Sequence, residues 1–454
     1  MTKGVTNQKQ FMKRTLLLCC VLCSFFYARG QSYFGFRDDN YAGIQGVLFN
    51  PSVIVDSKYK ADVTIFSVSA TGQNDLYGVN FTDALGSNYD LETQAEKNIK
   101  SNNRGNFNVD ILGPSLMMNI TPLHSIAVFT RVRSITNLVD VNGELIDEVN
   151  QEIDASKSFL ITGGNPNAVS NSWAEIGASY GTVLLDRDEH FIKGGLTLKY
   201  LMAGTNGYIN GNNLSVAFNK NEVSPLLSEY YSTGTLKTLA SYDYENGKDP
   251  EFDAASAGVG IDLGFTYEYR TNCHTCVGNR YKLKAAASVT DIGRINYKNA
   301  IENTYDLTGR ITQDDIENAD DIFEFFNNNY TKTASRKGVQ ANLPTALHTS
   351  IDWNIDNKFY LNLSGDFGLV DAKKINATAI ANSLTFTPRY ETRQFSFYVP
   401  VTWMEYSGTQ IGAGFRAGPL FVGSGSFVSN FFANNSKACN VYVGLKLPIY
   451  QNYE

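Results

Sequence analysis

The chain has 454 residues, of which 43% are hydrophobic and 13% aromatic, and a formal net charge of −7 at pH 7. A protein this acidic is a poor candidate for binding nucleic acid, and six cysteines are too few to staple a chain of this length. After the N-terminus no segment reaches the roughly 18 consecutive apolar residues of a membrane-spanning helix. The composition fits two classes of protein, outer-membrane β-barrels and secreted soluble β-proteins.

The first 30 residues have the layout of a secretory signal peptide with an N-terminal extension. A basic segment (12–14) precedes an apolar run (15–27), and small residues at 28 and 30 precede Gln31. A lipoprotein anchor at one of the cysteines of this run is the alternative (Cys19, Cys20 and Cys23), but no small residue of the kind that anchor requires precedes them. We therefore expect cleavage before Gln31. Because the removed segment holds five basic and no acidic residues, the mature chain carries a net charge of −12.

Residues 31–56 differ from everything that follows them. They are mixed in polarity and interrupted by Gly43, Gly46 and Pro51, so they do not read as a strand. The sequence predicts a plug here and one barrel domain over 57–454. Within that domain the alternation of apolar and polar residues predicts fourteen strands, at 60–70, 106–120, 123–135, 172–186, 189–203, 256–270, 280–296, 344–355, 357–369, 383–391, 394–406, 408–417, 419–428 and 438–450.

The clearest of these elements is a hairpin over residues 258–297. Its first arm places Ile261, Leu263 and Phe265 on one face, with the polar side chains between them on the other. The second arm repeats the pattern with Leu283 and Val289. We expect the apolar face of this hairpin to contact lipid and its polar face to contact the lumen.

The connections between the predicted strands alternate between long and short, with only the tight turn at 407–408 out of step. Outer-membrane barrels place short turns at the periplasmic end and long loops outside, whereas a soluble sandwich has no reason to do so. An even strand count puts both termini on the periplasmic side. Within the long loops, 143–159 and 314–326 have the spaced apolar residues of short amphipathic helices, with a solvated acidic loop as the alternative.

Charged residues on the predicted lumen face form a candidate network. Pairing the hairpin around its turn sets Glu268 opposite Lys282, with Asp262 and Lys284 nearby. Further candidates lie on later strands and turns: Asp352, Asp366, Arg393 and Arg416. These side chains either fill and order the lumen or line an ion path. Glycines on the later strands, from Gly412 to Gly425, suggest a wall against which the plug packs.

Cys273 and Cys276 frame a CHTC turn that resembles a reactive motif at first sight. A redox site would require a helix N-terminus after a strand, haem attachment would require His at the position of Val277, and zinc would require two further ligands. We expect a small disulfide or two coexisting thiols instead. The four histidines show no ligand or Ser/His spacing, so the sequence predicts no catalytic residue, no metal site, no cofactor and no enzyme activity.

The N-terminal stretch DDNYAGIQGVLFNPSVIVD resembles the hatch of the FadL-like superfamily of long-chain fatty-acid transporters, whose Asn-Pro-Ala turn reads Asn50-Pro51-Ser52 here. Residues 288–298 are similar to a branch of outer-membrane barrels of unassigned function from the Bacteroidota, distantly similar to the PorV component of type IX secretion. The resemblance implies a fourteen-stranded plugged barrel in which Phe49, Asn50, Pro51 and Ser52 act as plug or gating residues.

Three functions follow from these observations. The first is a non-enzymatic outer-membrane barrel that takes up small hydrophobic molecules through a plugged lumen with a lateral opening, in contact with outer-membrane lipid. The second is a structural or shuttle component of an envelope or secretion complex, motivated by acidic outer loops and a filled lumen. The third is a soluble secreted β-protein.

Overall fold

The computed structural model describes residues 33–84, 89–150, 158–162, 164–219, 221, 229–241, 252–270, 281–312, 315 and 322–451. The predicted signal peptide and the CHTC turn with Cys273 and Cys276 lie outside these ranges. The strands, in chain order, are β1 (Tyr59–Asn74), β2 (Tyr77–Gly78), β3 (Glu96–Lys97), β4 (Asn103–Thr121), β5 (His124–Val141), β6 (Phe159–Thr162), β7 (Asn167–Arg187), β8 (His190–Asn219), β9 (Glu229–Ala240), β10 (Asp253–Tyr269), β11 (Leu283–Asp306), β12 (Gly309–Thr312), β13 (Thr331–Asn342), β14 (Ala346–Asn354), β15 (Phe359–Gly368), β16 (Ser383–Glu391), β17 (Phe395–Tyr398), β18 (Val401–Met404), β19 (Gly408–Ile411), β20 (Ala413–Ala417), β21 (Leu420–Ser424) and β22 (Ala438–Tyr450).

These strands form a closed antiparallel barrel of fourteen strands, because β1 pairs with both β4 and β22. β17 and β18 are two halves of one barrel strand, interrupted at Val399-Pro400, and β19 and β20 are two halves of the next. The predicted fourteen-stranded barrel is therefore confirmed, with each predicted strand found near its expected position. Several boundaries are wrong. The strand predicted at 419–428 ends at Ser424 and a helix follows. β8 and β11 continue past their predicted ends at 203 and 296, and β9 and β13 lie where long loops were expected.

The barrel is taller on one side. Beyond residue 206, β8 continues as a long arm that pairs with β9, and β9 pairs in turn with the outer part of β11. β13 extends the line of β14 along β11, after an interruption at residues 343–345. These extensions all lie at the end of the barrel with the long connections, which we call the long-loop end. The opposite end, with turns such as 122–123 and 188–189, is the short-turn end.

Short helices occur in the long connections and inside the barrel. They are α1 (Ile44–Val47), a 3-10 helix (Pro51–Ile54), α2 (Phe81–Ala84), α3 (Leu91–Gln94), α4 (Gly143–Asn150), α5 (Ile322–Asn329) and α6 (Phe427–Phe432). Helix α4 and helix α5 fall within the two predicted amphipathic segments or overlap them. None of the helices in the described ranges is long and apolar enough to cross a membrane.

The two faces of the barrel wall differ sharply in polarity. On β10 the side chains of Ile261, Leu263 and Phe265 are 38%, 44% and 57% exposed on the outside, while Asp262 and Glu268 of the same strand are buried on the inside. The same alternation runs around the wall, with exposed Leu, Ile, Phe and Trp side chains outside and Ser, Thr, Asn and charged side chains within. An apolar outer belt around a polar interior is the arrangement of a membrane-spanning barrel.

The register of the hairpin formed by β10 and β11 corrects one prediction. Glu268 lies opposite Lys284, and Tyr269 lies opposite Leu283, so Lys282 is outside the ladder. Lys282 is exposed and its Nζ donates to the carbonyl oxygen of Ile355, 3.2 Å away. The prediction paired residues around the turn, but the ladder begins two residues further along the second arm.

Candidate functional site

The N-terminal segment, residues 33–56, fills the short-turn half of the lumen, and we call it the plug. Its aromatic residues form the largest buried apolar cluster together with side chains of the wall, for example Phe36 stacked on Phe421 at 4.2 Å between ring centroids. Tyr33 hydrogen-bonds Ser67 on β1. The plug therefore combines apolar packing with polar contacts to the wall.

Asn50, Pro51 and Ser52 form a tight turn against β10. The Asn50 side chain accepts from the amide and the hydroxyl of Ser52, and Ser52 Oγ lies 2.7 Å from Thr266 Oγ1. A Cβ on Gly264 would lie 2.1 Å from Asn50 Oδ1, and one on Gly195 would lie 2.3 Å from the Pro51 carbonyl carbon. Glycines in the wall therefore allow the turn to approach the strands, although these are not the later glycines that the sequence suggested.

Of those later glycines, Gly425 alone meets the plug in the manner expected. A Cβ there would lie 2.6 Å from the ring of Phe34, at the start of the plug. Gly414 and Gly423 instead make room for the rings of Tyr398 and Tyr442. The glycine-rich wall is thus shaped mainly by its own aromatic side chains.

Ion pairs connect the plug to the wall. Arg37 Nη1 donates to Asp366 Oδ2 at 2.9 Å, and His348 Nδ1 lies 2.6 Å from the other oxygen of the same carboxylate. Arg416 lies 3.6 Å from Asp39, and its guanidinium also donates to two turn carbonyls. All of these groups except the half-buried His348 are buried, so the plug is held by charges that are removed from water.

Other predicted network residues lie in the same half of the lumen. Glu268 pairs with Lys193 at 3.0 Å, while Lys284 lies 3.5 Å from Asp352. Asp352 also accepts from Arg389 at 3.0 Å. Arg393 is different: it is exposed at a short turn with its guanidinium 4.5 Å from the centre of the Tyr450 ring. The prediction that Arg393 and Lys282 face the lumen is therefore wrong, because both belong to turn segments outside the ladder.

A second layer of charges crosses the middle of the lumen, and most of it was missed. Asp262 pairs with Lys199 at 2.8 Å, and Lys199 also contacts Asp291 at 2.7 Å. Of this layer only Asp262 was predicted from the sequence. The residues not predicted are Asp110, Arg131, Arg133, Glu175, Lys199 and Asp291. These residues lie on the polar faces of predicted strands, and that placement could have identified them as lumen-facing.

Two cavities meet at a pair of ring side chains that pack edge to face inside the short-turn half of the barrel. A cavity of about 100 Å³ opens at the short-turn end between the plug and β8, β10, β11 and β14, and a cavity of about 30 Å³ lies deeper, beside Arg131, Arg133 and Asp291. Phe49 and His348 line both, with their rings 5.4 Å apart. Phe49 and His348 therefore form the partition between the two cavities together.

Lys58 lines the larger cavity just before β1. Burial lowers the pKa of Lys58 to about 8, and the nearby carboxylates of Asp56, Glu391 and Glu268 oppose this shift. The Lys58 ammonium is therefore easier to deprotonate than an exposed lysine.

The connection between β15 and β16, residues 369–382, folds inward across the long-loop end. Asn106 and Asn137 from the wall donate to the carbonyl oxygen of Ala379, and Asn137 also accepts from its amide. Ala377, Ala379 and Ala381 are buried. The sequence presented this segment only as a moderate loop, since its partners lie more than 200 residues away. It covers the lumen from the side opposite the plug.

The barrel wall itself has a gap near the long-loop end, and helix α6 closes it. β21 is only five residues long and pairs with β20 and β22, so above Ser424 no strand stands between β19 and the first residues of β22. Helix α6 packs against both of these strands. Adjacent strands are about 4.8 Å apart, so one missing strand leaves about 10 Å, the diameter of a helix.

The two sides of helix α6 are opposite in character. Phe427, Phe431 and Phe432 are 58%, 61% and 78% exposed on the outside. Asn430 is buried on the inner side and bonds Ser426 and Ser436. Ser429 Oγ accepts from the backbone amide of Ile411 at 2.8 Å, which satisfies a donor on the unpaired edge of β19.

Behind helix α6 the plug and the wall form a small apolar floor. Phe34 packs with Met404 of β18 and Ala438 of β22, and all three are buried. Tyr442 donates to the carbonyl oxygen of Phe34 at 2.8 Å. The start of the plug therefore lies directly inside the gap that helix α6 fills.

The remaining chemical candidates among the described residues are one thiol on β22 and two histidines near the short-turn end. Cys439 is a free, half-buried thiol on β22. His124 and His190 hydrogen-bond Tyr180 and Tyr267 near the short-turn end. Within the described ranges, no group of three or more His, Cys, Asp or Glu side chains is arranged to hold a metal ion.

Several solved structures are similar to this chain. The Ralstonia pickettii toluene transporter TbuX is 8% identical, with 90% of this chain and 94% of that chain covered and a TM-score of 0.43. A TodX deltaS2S3 mutant monoaromatic hydrocarbon channel is 10% identical, with 93% and 98% covered and a TM-score of 0.45. The translocator domain of the Neisseria meningitidis autotransporter NalP is 7% identical, with 87% and 90% covered and a TM-score of 0.32. At these levels the likeness is one of architecture alone.

Comparison with sequences gives the family. No curated protein matches the chain significantly, and the matches found carry no information on a Bacteroidota origin or on a PorV-like secretion partner. A family model described as a family of unknown function, DUF5723, matches residues 51–425, which is most of the barrel. The chain therefore belongs to the DUF5723 family.

Proposed function

We propose that the protein is a non-enzymatic outer-membrane channel that takes small hydrophobic molecules from the bilayer into the barrel through the gap closed by helix α6. In this proposal residues 1–30 are a secretory signal peptide, both termini of the mature chain are periplasmic, and the long-loop end faces the outside of the cell. The gap in the wall is the observation that carries the proposal, because barrels otherwise close their wall with continuous strand pairing.

The size and contacts of helix α6 support movement of this element. It has six residues, and isolated helices shorter than about 12–15 residues are marginal in water. Its inner contacts are neutral hydrogen bonds, such as those of Asn430, and no ion pair involving it occurs among the described residues. Gly412 and Gly425 flank the gap, and their small size permits close backbone packing there. Displacing this helix costs less than displacing a paired strand.

Both axial routes through the barrel are covered or polar, and this favours lateral entry for apolar solutes. The short-turn half holds the plug and a polar cavity lined by charged residues, and residues 369–382 cover the other end. An apolar molecule would gain nothing from that polar route. By contrast, the outer side of helix α6 exposes three phenyl rings at the height of the wall, so a molecule dissolved in the bilayer reaches the gap without passing through water.

The plug supplies the gating element in this proposal. Phe34 lies behind helix α6, so a solute entering through the gap must displace this side chain. The turn at Asn50-Pro51-Ser52 fixes the other end of the plug to β10 and acts as the hinge, while Phe49 controls passage toward the larger cavity.

A reversible lock on helix α6 tests the proposal. In a chain whose own cysteines are replaced by serine, Ile411→Cys and Ser429→Cys place a cysteine on each side of the gap, since Ile411 N and Ser429 Oγ are 2.8 Å apart. We expect oxidation to stop uptake of a panel of naphthalene derivatives by cells that express the chain, and reduction to restore it. The reduced protein is the matched control.

Two outcomes would contradict the proposal. Uptake unaffected by oxidation, with the crosslink verified, would exclude the gap as the route. Copurification of a stoichiometric protein partner in mild detergent, together with no chain-dependent uptake of any probe, would favour the alternative role in an envelope or secretion complex instead.

A further inference from the structure

The inner side of the gap carries two buried polar atoms without a partner. Gln73 on β1 is 1% exposed and Gln410 on β19 is 5% exposed. Gln73 Nε2, a donor, and Gln410 Oε1, an acceptor, have no hydrogen-bond partner among the described residues. Buried polar groups are almost always paired, and each exception requires an explanation.

The orientation of both amides is fixed by their other atoms. Gln73 Oε1 accepts from the backbone amide of Tyr406 at 3.1 Å, and Gln410 Nε2 donates to the carbonyl oxygen of Ser407 at 3.3 Å. Because Tyr406 and Ser407 are consecutive, the two glutamine side chains converge on one turn at the top of the gap. A flip of either amide would break an existing hydrogen bond.

These atoms adjoin the apolar floor behind helix α6. Gln73 lies directly opposite Ala438 in the ladder between β1 and β22, and Ala438 packs with Phe34 and Met404. The polar side chains around helix α6 and the start of β22 are uncharged, namely Thr71, Ser426, Asn430, Ser436 and Asn440. The charged side chains at the turn, Arg104 and Glu405, pair with each other at 3.3 Å. The environment is therefore an apolar surface bordered by one free donor, one free acceptor and neutral groups.

From this arrangement we infer that the gap selects small molecules with an apolar body and one neutral hydroxyl group, such as phenols and alcohols. This inference rests on the proposed function. A hydroxyl group donates to Gln410 Oε1 and accepts from Gln73 Nε2 with a single oxygen atom. A hydrocarbon leaves both amide atoms unpaired, and a carboxylate has no proton for Gln410 Oε1 and carries a charge into a neutral site. Sites that hydrogen-bond a hydroxyl discriminate strongly against analogues that lack it.

The test compares three probes with the same ring system: 1-naphthol, naphthalene and 1-naphthoate. The measurement is the initial rate of accumulation in cells that express the full chain, minus the rate in the same cells without it. We expect the chain-dependent rate for 1-naphthol to exceed the other two by about tenfold or more, since a lost hydrogen bond in a buried site is commonly worth a factor of ten.

Gln410→Met isolates the acceptor while nearly preserving side-chain volume. We expect it to lower the 1-naphthol rate by about tenfold and to leave the naphthalene rate unchanged. Gln394→Met, at an exposed position of the short-turn end, is the matched control and should change neither rate. Heat-modifiable gel mobility verifies that each variant forms a barrel, and the probe comparison in the unmodified chain tests the inference even if Gln410→Met does not fold.

The outcomes separate the two proposals. If no probe shows chain-dependent uptake that the α6 lock abolishes, the proposed function fails. If all three probes enter at similar lock-sensitive rates, or naphthalene enters faster than 1-naphthol, the lateral route stands and the inferred selectivity is wrong.

Discussion

The two closures of this barrel are built from different interactions. The plug is held in the short-turn half by buried ion pairs, such as Arg37 with Asp366 and Arg416 with Asp39. Helix α6 is held in the wall gap by neutral hydrogen bonds, and its phenyl rings face outward. The two kinds of contact differ in the free energy that breaking them costs. Breaking a buried ion pair strands a charge, whereas loosening a neutral contact costs about one hydrogen bond.

This contrast assigns different roles to the two regions. We expect a plug tied by buried charges to be a stable element that responds as a unit, because separating any one pair in the lumen is unfavourable unless water enters. A short helix tied by hydroxyl and amide groups opens locally at low cost. We therefore expect substitutions in the plug to destabilise it as a whole, and substitutions in helix α6 to weaken one contact at a time.

The largest effect is expected for Arg37→Met. The variant leaves the buried Asp366 with only hydrogen bonds from His348 and Ser383 and without its arginine partner. Removing one partner of a buried pair costs about 3–5 kcal/mol, which should lower the urea midpoint of unfolding in lipid vesicles. Arg393→Met is the control: its guanidinium is exposed on Tyr450 and should change stability by less than about 1 kcal/mol. Equal midpoints for Arg37→Met and the unmodified protein would mean that the charges do not hold the plug.

A smaller, local effect is expected for Phe49→Ala, which removes one of the two rings that partition the cavities. A cysteine at position 290 (Thr290→Cys, other cysteines replaced by serine) lines the deeper cavity and reports access. A small cationic thiol reagent added at the short-turn end should modify it about tenfold faster in the Phe49→Ala background, since each ~1.4 kcal/mol removed from an opening step is a factor of ten. Phe395→Ala, on the outer face, should leave the rate unchanged. An unchanged rate with Phe49→Ala would place the barrier elsewhere.

Ser429→Ala tests how helix α6 is attached. It removes the acceptor for the backbone amide of Ile411, and such a loss costs about 1 kcal/mol. Hydrogen exchange of the Ile411 amide should therefore become about fivefold faster, while the amides of the paired strand β22 keep their protection. Thr409→Ala, on an exposed neighbour in β19, is the matched control. Simultaneous loss of protection in β22 would show that helix α6 and the wall open together, against the contrast drawn above.

The inner and outer faces of the wall could be predicted from sequence because successive side chains of a strand point to opposite faces. Ile261 and Leu263 alternate with Asp262, and the structure places them outside and inside as expected. The closures could not be predicted in the same way. Arg37 meets Asp366 across 329 positions of the chain, and nothing local indicates that pairing. Helix α6 was missed: its first two residues were assigned to the end of a strand and the others to a connection, because six residues are too few to show a helical period.

The register of the β10–β11 hairpin was also beyond the sequence, since a long turn does not fix which residues pair. Matched substitutions of its two lysines give the smallest effect and the most direct check. Lys284 faces Glu268 across the ladder and lies 3.5 Å from Asp352, so Lys284→Met should lower the free energy of unfolding by about 0.5–1 kcal/mol. Lys282 is exposed outside the ladder, and Lys282→Met should stay within about 0.5 kcal/mol of the unmodified protein. The free energy of unfolding of both variants is measured by urea titration in the same lipid vesicles. A larger loss for Lys282→Met would restore the pairing of Lys282 with Glu268, and would also shift every lumen charge of β11 to a different neighbour.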